Sequence, residues 1–185
     1  MAKVARDPTT ALYPLPAVLV SCGIGPRANI ITLAWVGTLC SDPPTIGIGV
    51  RPSRYSHGLI EEVGEFVVNL PTADQVEWVD TCGVVSGRDE DKWAACGFTR
   101  GAGVEVDVPL IAECPVNIEC RLERTLSLGS HDLFIGRIVA VHAGEGLLDD
   151  RGRLHIGKAD LFAYVGGDYR RVGELLGRHG FSRPS

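Results

Sequence analysis

The chain has 185 residues, 45% hydrophobic and 22% charged, with a formal net charge of −5. This is the composition of one globular domain able to bury a core, and its acidity, without a long Lys/Arg run, argues against a nucleic-acid binder. No apolar stretch approaches the roughly 18 residues of a membrane helix, and Met1–Pro8 lacks the apolar run of a signal peptide, so the expected compartment is the cytoplasm.

Ala17–Cys22 and Asn29–Val36 read as two β-runs joined by Gly23-Ile24-Gly25-Pro26-Arg27. Gly23, Gly25 and Ala28 match a loose dinucleotide fingerprint, but Pro26 inside the loop and the β-branched residues after it favour a hairpin. In the second run Asn29, Ile31, Leu33 and Trp35 share one face, with Ile30, Thr32 and Ala34 on the other. A ligand lying along this strand meets Thr32, Ala34 and backbone groups; a plain core strand with Trp35 filling a barrel fits equally well. The prolines of Ser41-Asp42-Pro43-Pro44 exclude helix, and a third strand follows over Thr45–Val50.

Directly after it stands Arg51-Pro52-Ser53-Arg54-Tyr55-Ser56, two cations and three hydroxyls in one turn. Pro52 ends the strand, His57–Val63 has near-helical apolar spacing, and Ser53 or Ser56 is the expected N-cap. Helix-start N–H groups, hydroxyls and two guanidinium groups suit a phosphate dianion. Taken alone, the block also reads as a solvated strand-to-helix turn.

Glu65–Leu70 is a strand stopped by Pro71, and Thr72-Ala73-Asp74 can cap a helix over Gln75–Cys82. Ser86–Lys92 is a polar turn carrying Ser86, Arg88 and Lys92, with Asp89, Glu90 and Asp91 offsetting the cations, before a short helix through Trp93–Cys96. Beyond Gly101 and Gly103, strands Val116–Leu126 and Leu133–His142 flank the link Ser127–Asp132. Its His131 suits contact with a redox ring or proton delivery, as well as ordinary local hydrogen bonding. Ala159–Gly180 reads as a short strand (Leu161–Val165), Gly166-Gly167 and a helix around Val172–Leu176. Locally paired strands with interposed helices give a mainly β chain, an antiparallel barrel with helical insertions.

The six cysteines (22, 40, 82, 96, 114 and 120) form no CxxC pair and have no histidines at metal-ligand spacing, so disulfides and a metal site are not expected. No nucleophile elbow, Walker loop, HExxH or EF-hand pattern is present. The scattered hydroxyls, cations and aromatics are instead what a phosphorylated planar cofactor requires.

Together these blocks resemble the flavoredoxin branch of the flavin reductase-like family, the FMN-binding split β-barrels. The resemblance rests on residues 29–35, 40–44, 51–56, 65–71, 82–92 and 128–136, in that order. It implies one domain over 1–185, with 159–185 as a C-terminal extension packing on the barrel or on a dimer partner. It further implies FMN at a homodimer interface, with Asn29, Thr32, Ala34 and Trp35 along the flavin and Cys40 close by. Arg51, Ser53, Arg54 and Ser56 would hold the ribityl phosphate, helped by Ser86 and Lys92. Asn69 and Cys82 would neighbour the ribityl chain or ring, and His131 would face the isoalloxazine or nicotinamide. Pro52 departs from the family pattern by removing one N–H donor, and Tyr169 is the tyrosine expected over the cofactor.

The implied function is a redox protein passing electrons from NAD(P)H or a protein donor through FMN to flavin, ferric iron or a partner redox protein. The cofactor would supply the chemistry, and His131 would orient the hydride donor or an acceptor. The alternative is a non-catalytic split barrel holding FMN or haem.

Overall fold

The computed structural model describes residues 1–183. Strand β1 (Leu15–Pro16) leads into β2 (Val18–Cys22), which reaches β3 (Asn29–Leu33) through one 3-10 turn at Gly25–Arg27. β2 and β3 run antiparallel, with Val18 opposite Leu33 and Cys22 opposite Asn29, so the Gly23–Ala28 segment is a hairpin connection. The backbone breaks at Ala34-Trp35, and β4 (Val36–Ser41) is a separate strand turning through Asp42-Pro43 into β5 (Pro44–Val50). Helix α1 (Tyr55–Val63) and β6 (Glu65–Leu70) follow, then α2 (Val76–Val84) and the one-turn α3 (Lys92–Ala95). The short pair β7 (Arg100–Gly101) and β8 (Leu110–Ile111) precedes the long strands β9 (Val116–Ser127) and β10 (Asp132–Ala143). The chain closes with β11 (Phe162–Val165) and β12 (Asp168–Arg171).

Seven strands form one antiparallel sheet in the order β3-β2-β6-β9-β10-β5-β4. Alternation fixes which residues enter it: Val18, Val20 and Cys22 of β2, Ile31 and Leu33 of β3, Ile46, Ile48 and Val50 of β5, and Phe66 and Val68 of β6 form one buried cluster with Phe134. Gly136 permits this packing, because a Cβ there would overlap the Phe66 ring. The opposite face of β2 and β3, carrying Leu19 and Ile30, packs against Val79 and Cys82 of α2, Trp93 of α3 and Phe162 of β11. The curled sheet is thus sealed inside by aliphatic side chains and outside by α2, α3 and the C-terminal hairpin, which holds β1 in a three-stranded sheet.

Two local expectations fail. The segment around Val172–Leu176 is not helical: β12 pairs with β11 across the Gly166-Gly167 turn, and the Val172 N–H donates to Leu161 O at 2.9 Å. Strand pairing wins there because Phe162 is buried in the core while Val172, Leu175 and Leu176 stay exposed. The N-cap of α1 is Arg54, not a serine, and no side chain bonds its first N–H groups. Among the described residues no helix is long and apolar enough to cross a membrane, and no cluster of side chains is suited to a metal ion.

Candidate functional site

Strand β5 ends at Val50, and the next residues fold into a turn closed by the Arg54 N–H on Arg51 O at 2.9 Å. Helix α1 starts from that turn and is anchored by Leu59 and Ile60 in the core. Its N-terminus therefore opens onto β3 with helix-dipole N–H groups that no side chain satisfies, the arrangement that favours an anion.

Facing it, Lys92 at the start of α3 is 4% exposed, and its Nζ donates to Ile30 O at 2.8 Å and Cys82 O at 2.7 Å. The ammonium ties β3 to the last turn of α2, where carbonyl oxygens favour a cation. Burial lowers its pKa from the usual lysine value, against the opposing influence of the nearby thiols. Asp91 caps α3 by accepting from Trp93 N at 3.0 Å, and Trp93 Nε1 donates to Ala28 O at 3.1 Å, so this cation stands on a rigid base.

Two cavities share Ile31, Arg54 and Gly83 and so form one groove. The first, about 260 Å³, lies between the end of β3 (Thr32, Leu33, Ala34), Trp35, Arg51, Arg54, His131 and Tyr164. The second, about 220 Å³, is bounded by Asn29, Ser53, Arg54, Ser56, Cys82, Ser86, Arg88 and Lys92. Asn29 Nδ2 donates to Ser56 Oγ at 2.9 Å, and Gly87 must lack a side chain because a Cβ there would overlap Asn29. Arg88 crosses the groove, donating to Ser53 O at 3.2 Å with its guanidinium 5.6 Å from the centre of the Tyr55 ring.

The charge distribution singles out this groove. No Asp or Glu lines either cavity, in a chain that carries 23 acidic residues. Among the described residues Arg51, Arg54, Arg88 and Lys92 make no ion pair, nor do Arg100, Arg124 and Arg151 elsewhere, so the groove is set apart by gathering four such cations with no acid among them. The His131 ring lies 4.0 Å from that of Trp35, with Ser130 Oγ 2.9 Å from its Nδ1. Desolvation first, and then the charges of Arg51 and Arg54, hold the His131 pKa below the usual 6.5, which favours the neutral ring.

Most of the residues expected from sequence thus meet at one groove, with differences. Arg51 lines the Trp35 cavity rather than the one at the helix N-terminus. Cys40 is exposed on β4, where its thiol donates to Asp42 O at 3.3 Å, and it lines neither cavity. Asn69 also lies elsewhere: it is fully buried, donates to Leu19 O and Ser21 Oγ, and accepts from Ile111 N and Asn117 Nδ2. Its amide satisfies backbone groups of the core and has none to spare for a ligand. Cys82 does line the groove, but burial pushes its thiol up to about 12, with the Cys96 sulfur 3.8 Å away, so it contributes shape rather than a nucleophile. The C-terminal tyrosine that lines the groove is Tyr164; Tyr169 packs beside it and bonds Asp80 at 3.2 Å.

The sequence left Tyr164 and Gly83 unassigned, and from the polar turn the resemblance took Ser86 and Lys92 but not Arg88. No signal in the sequence marks Arg88: only in the fold does Asp91 serve as a helix cap, while Asp89 and Glu90 line neither cavity.

An uncapped helix N-terminus, hydroxyls and unpaired cations fit a phosphate monoester, and the slot beside Trp35 fits a flat ring, so the groove suits a phosphorylated planar cofactor. A flavoredoxin of Desulfovibrio vulgaris (Miyazaki F) is 34% identical and superposes with a TM-score of 0.90, covering 98% of this chain and 99% of its own. The flavoredoxin from Methanosarcina acetivorans gives 0.91 at 32% identity, covering 98% of this chain and 97% of that one. An NADH-dependent FMN reductase of Streptomyces nodosus subsp. asukaensis is 27% identical over 76% of this chain and 77% of its own. The family described as the flavin reductase like domain matches residues 10–173, and this chain belongs to that family.

Proposed function

We propose that this chain binds FMN in the two-cavity groove and works as an FMN-dependent oxidoreductase of flavin reductase or flavoredoxin type. The observation that carries the reading is the acid-free groove joining unpaired cations at a helix N-terminus to a flat slot beside Trp35. In this reading the N-terminus of α1, Ser53, Ser56, Ser86, Arg54, Arg88 and Lys92 hold the phosphate, and Asn29 and Cys82 border the ribityl chain. Thr32, Ala34 and Trp35 flank the ring, with His131 at its edge to orient the donor or acceptor.

Bound FMN would supply the two-electron chemistry, taking electrons from NAD(P)H or a protein donor and passing them to flavin, ferric iron or a partner redox protein. The protein's part is to bind, orient and exclude water, and no side chain need be an indispensable acid or base. The edge strand β4 leaves directly from the Trp35 wall and exposes Leu39, which supports a homodimer assembled beside the groove.

The test loads the protein with FMN and mixes it anaerobically with NADH and with NADPH in a stopped-flow instrument. Rapid bleaching of the flavin identifies a reductase, and bleaching only by a reduced protein donor identifies a carrier. Failure to take up FMN, or a flavin that no donor reduces, refutes the proposal.

A further inference from the structure

His57 and Asp132 are titratable, largely buried and unused by the groove: their side chains are 9% and 13% exposed and line neither cavity. His57 Nε2 and Asp132 Oδ2 lie 2.8 Å apart, tying the first turn of α1 to the first residue of β10. The His57 ring is held on two further sides, edge-on to Phe134 at 4.9 Å and with Nδ1 3.5 Å from Glu61 Oε2. Its backbone N–H is bonded to Arg54 O at 3.0 Å, so this residue offers no donor to an anion at the helix start. Asp132 stands opposite Val50 on one side and Ser127 on the other, at the strand end next to His131. The link that leads into it has little else to grip it. Ser127 to Ser130 are exposed, Gly129 has φ +99°, and the polar contacts are the link's own: the Leu128 N–H on His131 O at 3.0 Å, and Ser130 Oγ with His131 Nδ1 at 2.9 Å. Stability alone does not account for the pair. A buried acid–base pair is often no better than apolar side chains of the same volume, and Asp132 Oδ1 is buried with no hydrogen-bond partner among the described residues.

Resting on the flavin reading above, we propose that His57 is a positioning residue for electron transfer: through Asp132 it fixes the 127–132 link and so holds the His131 ring beside Trp35, at the edge of the flavin. The tether is stiff because each end is planted in regular structure, α1 anchored by Leu59 and Ile60 and β10 paired with both β5 and β9. With Asp132 clamped, the short stretch before it spans two fixed ends. Without the clamp, an exposed link of this kind opens at little cost, and a misplacement of about 1 Å can lower a rate about 100-fold. The same helix offers its start to the phosphate, so one element sets the positions of both the cofactor and His131.

Three variants test this. His57→Phe keeps a ring packed on Phe134 but offers nothing to Asp132. Asp132→Ala cuts the tether from the other end and leaves no buried carboxylate behind, so it carries the test if His57→Phe fails to fold. Asp132→Asn keeps an oxygen that accepts from His57. In unloaded protein, NMR reads the His131 ring protons, which the Trp35 ring current displaces. In FMN-loaded protein, stopped-flow mixing with the donor that reduces wild type reads the rate, and a separate titration reads FMN affinity. His57→Phe and Asp132→Ala should move the His131 ring protons toward the positions of an exposed histidine and slow reduction about 10- to 100-fold. Their FMN affinity should stay within about threefold of wild type, and Asp132→Asn should stay near wild type in every readout. Unchanged His131 shifts, or displaced shifts with an unchanged rate, overturn the proposal. So does a larger loss of FMN affinity, which would make the pair a support of α1 rather than of His131. Equal slowing in Asp132→Asn and Asp132→Ala also overturns it, assigning the effect to the carboxylate's charge. If wild type takes up no FMN, or no donor reduces it, the flavin reading fails, and the ring shifts of the unloaded protein still decide whether the pair holds His131.

Discussion

Arg54 gives the sharpest test of the groove, because it lines both cavities and makes no ion pair among the described residues. Its contribution to the fold is through the backbone: its N–H bonds Arg51 O at 2.9 Å and its carbonyl accepts from His57 N at 3.0 Å, and alanine keeps both. Arg54→Ala is therefore expected to unfold within about 0.5 kcal/mol of wild type, as for an exposed residue without partners. Loss of a charge-assisted hydrogen bond to phosphate costs about 1.5–3 kcal/mol, which weakens binding by about 10- to 150-fold. The assay is titration of unloaded protein with FMN, followed by quenching of flavin fluorescence, at several salt concentrations. Wild-type affinity should fall as salt shortens the Debye length from about 10 Å at 0.1 M to 3 Å at 1 M, with a shallower slope for Arg54→Ala. Arg54→Lys keeps the charge without the planar fork and should lie between the two. An Arg54→Ala protein that holds FMN within about threefold of wild type, with an unchanged salt slope, would show that the phosphate is anchored elsewhere.

Three further outcomes are expected. Gly87→Ala drives a methyl into Asn29, so it should disturb the Asn29–Ser56 bond and weaken FMN binding, with far less effect on the urea midpoint than on affinity. In the unloaded protein an NMR titration should place the His131 pKa below 6.5, and Arg51→Gln should raise it. Because that folded value is depressed, His131 costs the protein stability as pH falls from 6.5 through the folded pKa, and a pKa at or above 6.5 would contradict the burial and charge argument. Glu119 is fully buried: burial pushes its pKa up, but its bond to His142 and the N–H groups of Val104, Glu105 and Val106 outweigh this and hold it below 4.5. Its stabilising contribution is thus complete above 4.5 and fades as pH falls through the lower folded value; Glu119→Gln, which gives up the charge on these hydrogen bonds, should cost about 1.5–3 kcal/mol at pH 7 in urea unfolding and flatten that acid limb.

The strands were legible as short apolar, β-permissive runs bounded by glycine and proline, as in Val18–Cys22 and Ile46–Val50. The site was legible where its chemistry is local: the Arg51–Ser56 turn concentrates cations and hydroxyls ahead of a helix, and only six residues are needed to see it. Legibility ended where three-dimensional proximity assigns the role. Asn69 was expected beside the ribityl chain or ring only through the family resemblance, but β6 is central and covered on both faces, with Val67 under Val108 and Leu110, so its amide serves the core. The expected helix after Val172 had tolerable local spacing, yet nothing apolar faces it, and a helix with no partner is marginal in water.

The sequence by itself determined a mainly β chain, the antiparallel strands, a turn rich in cations and hydroxyls ahead of a helix, and the family, because alternation, proline and glycine act over a few residues. Only the tertiary structure decided which cation meets which cavity. Arg51 and Arg54 are three positions apart and chemically identical, yet the turn between β5 and α1 sends one to the aromatic slot alone and gives the other to both. It also chose Tyr164 over Tyr169 and Arg88 over its acidic neighbours, since these assignments depend on contacts between segments dozens of residues apart. No periodicity records such contacts, and only the packing of the hairpin, α2 and α3 on the barrel creates them.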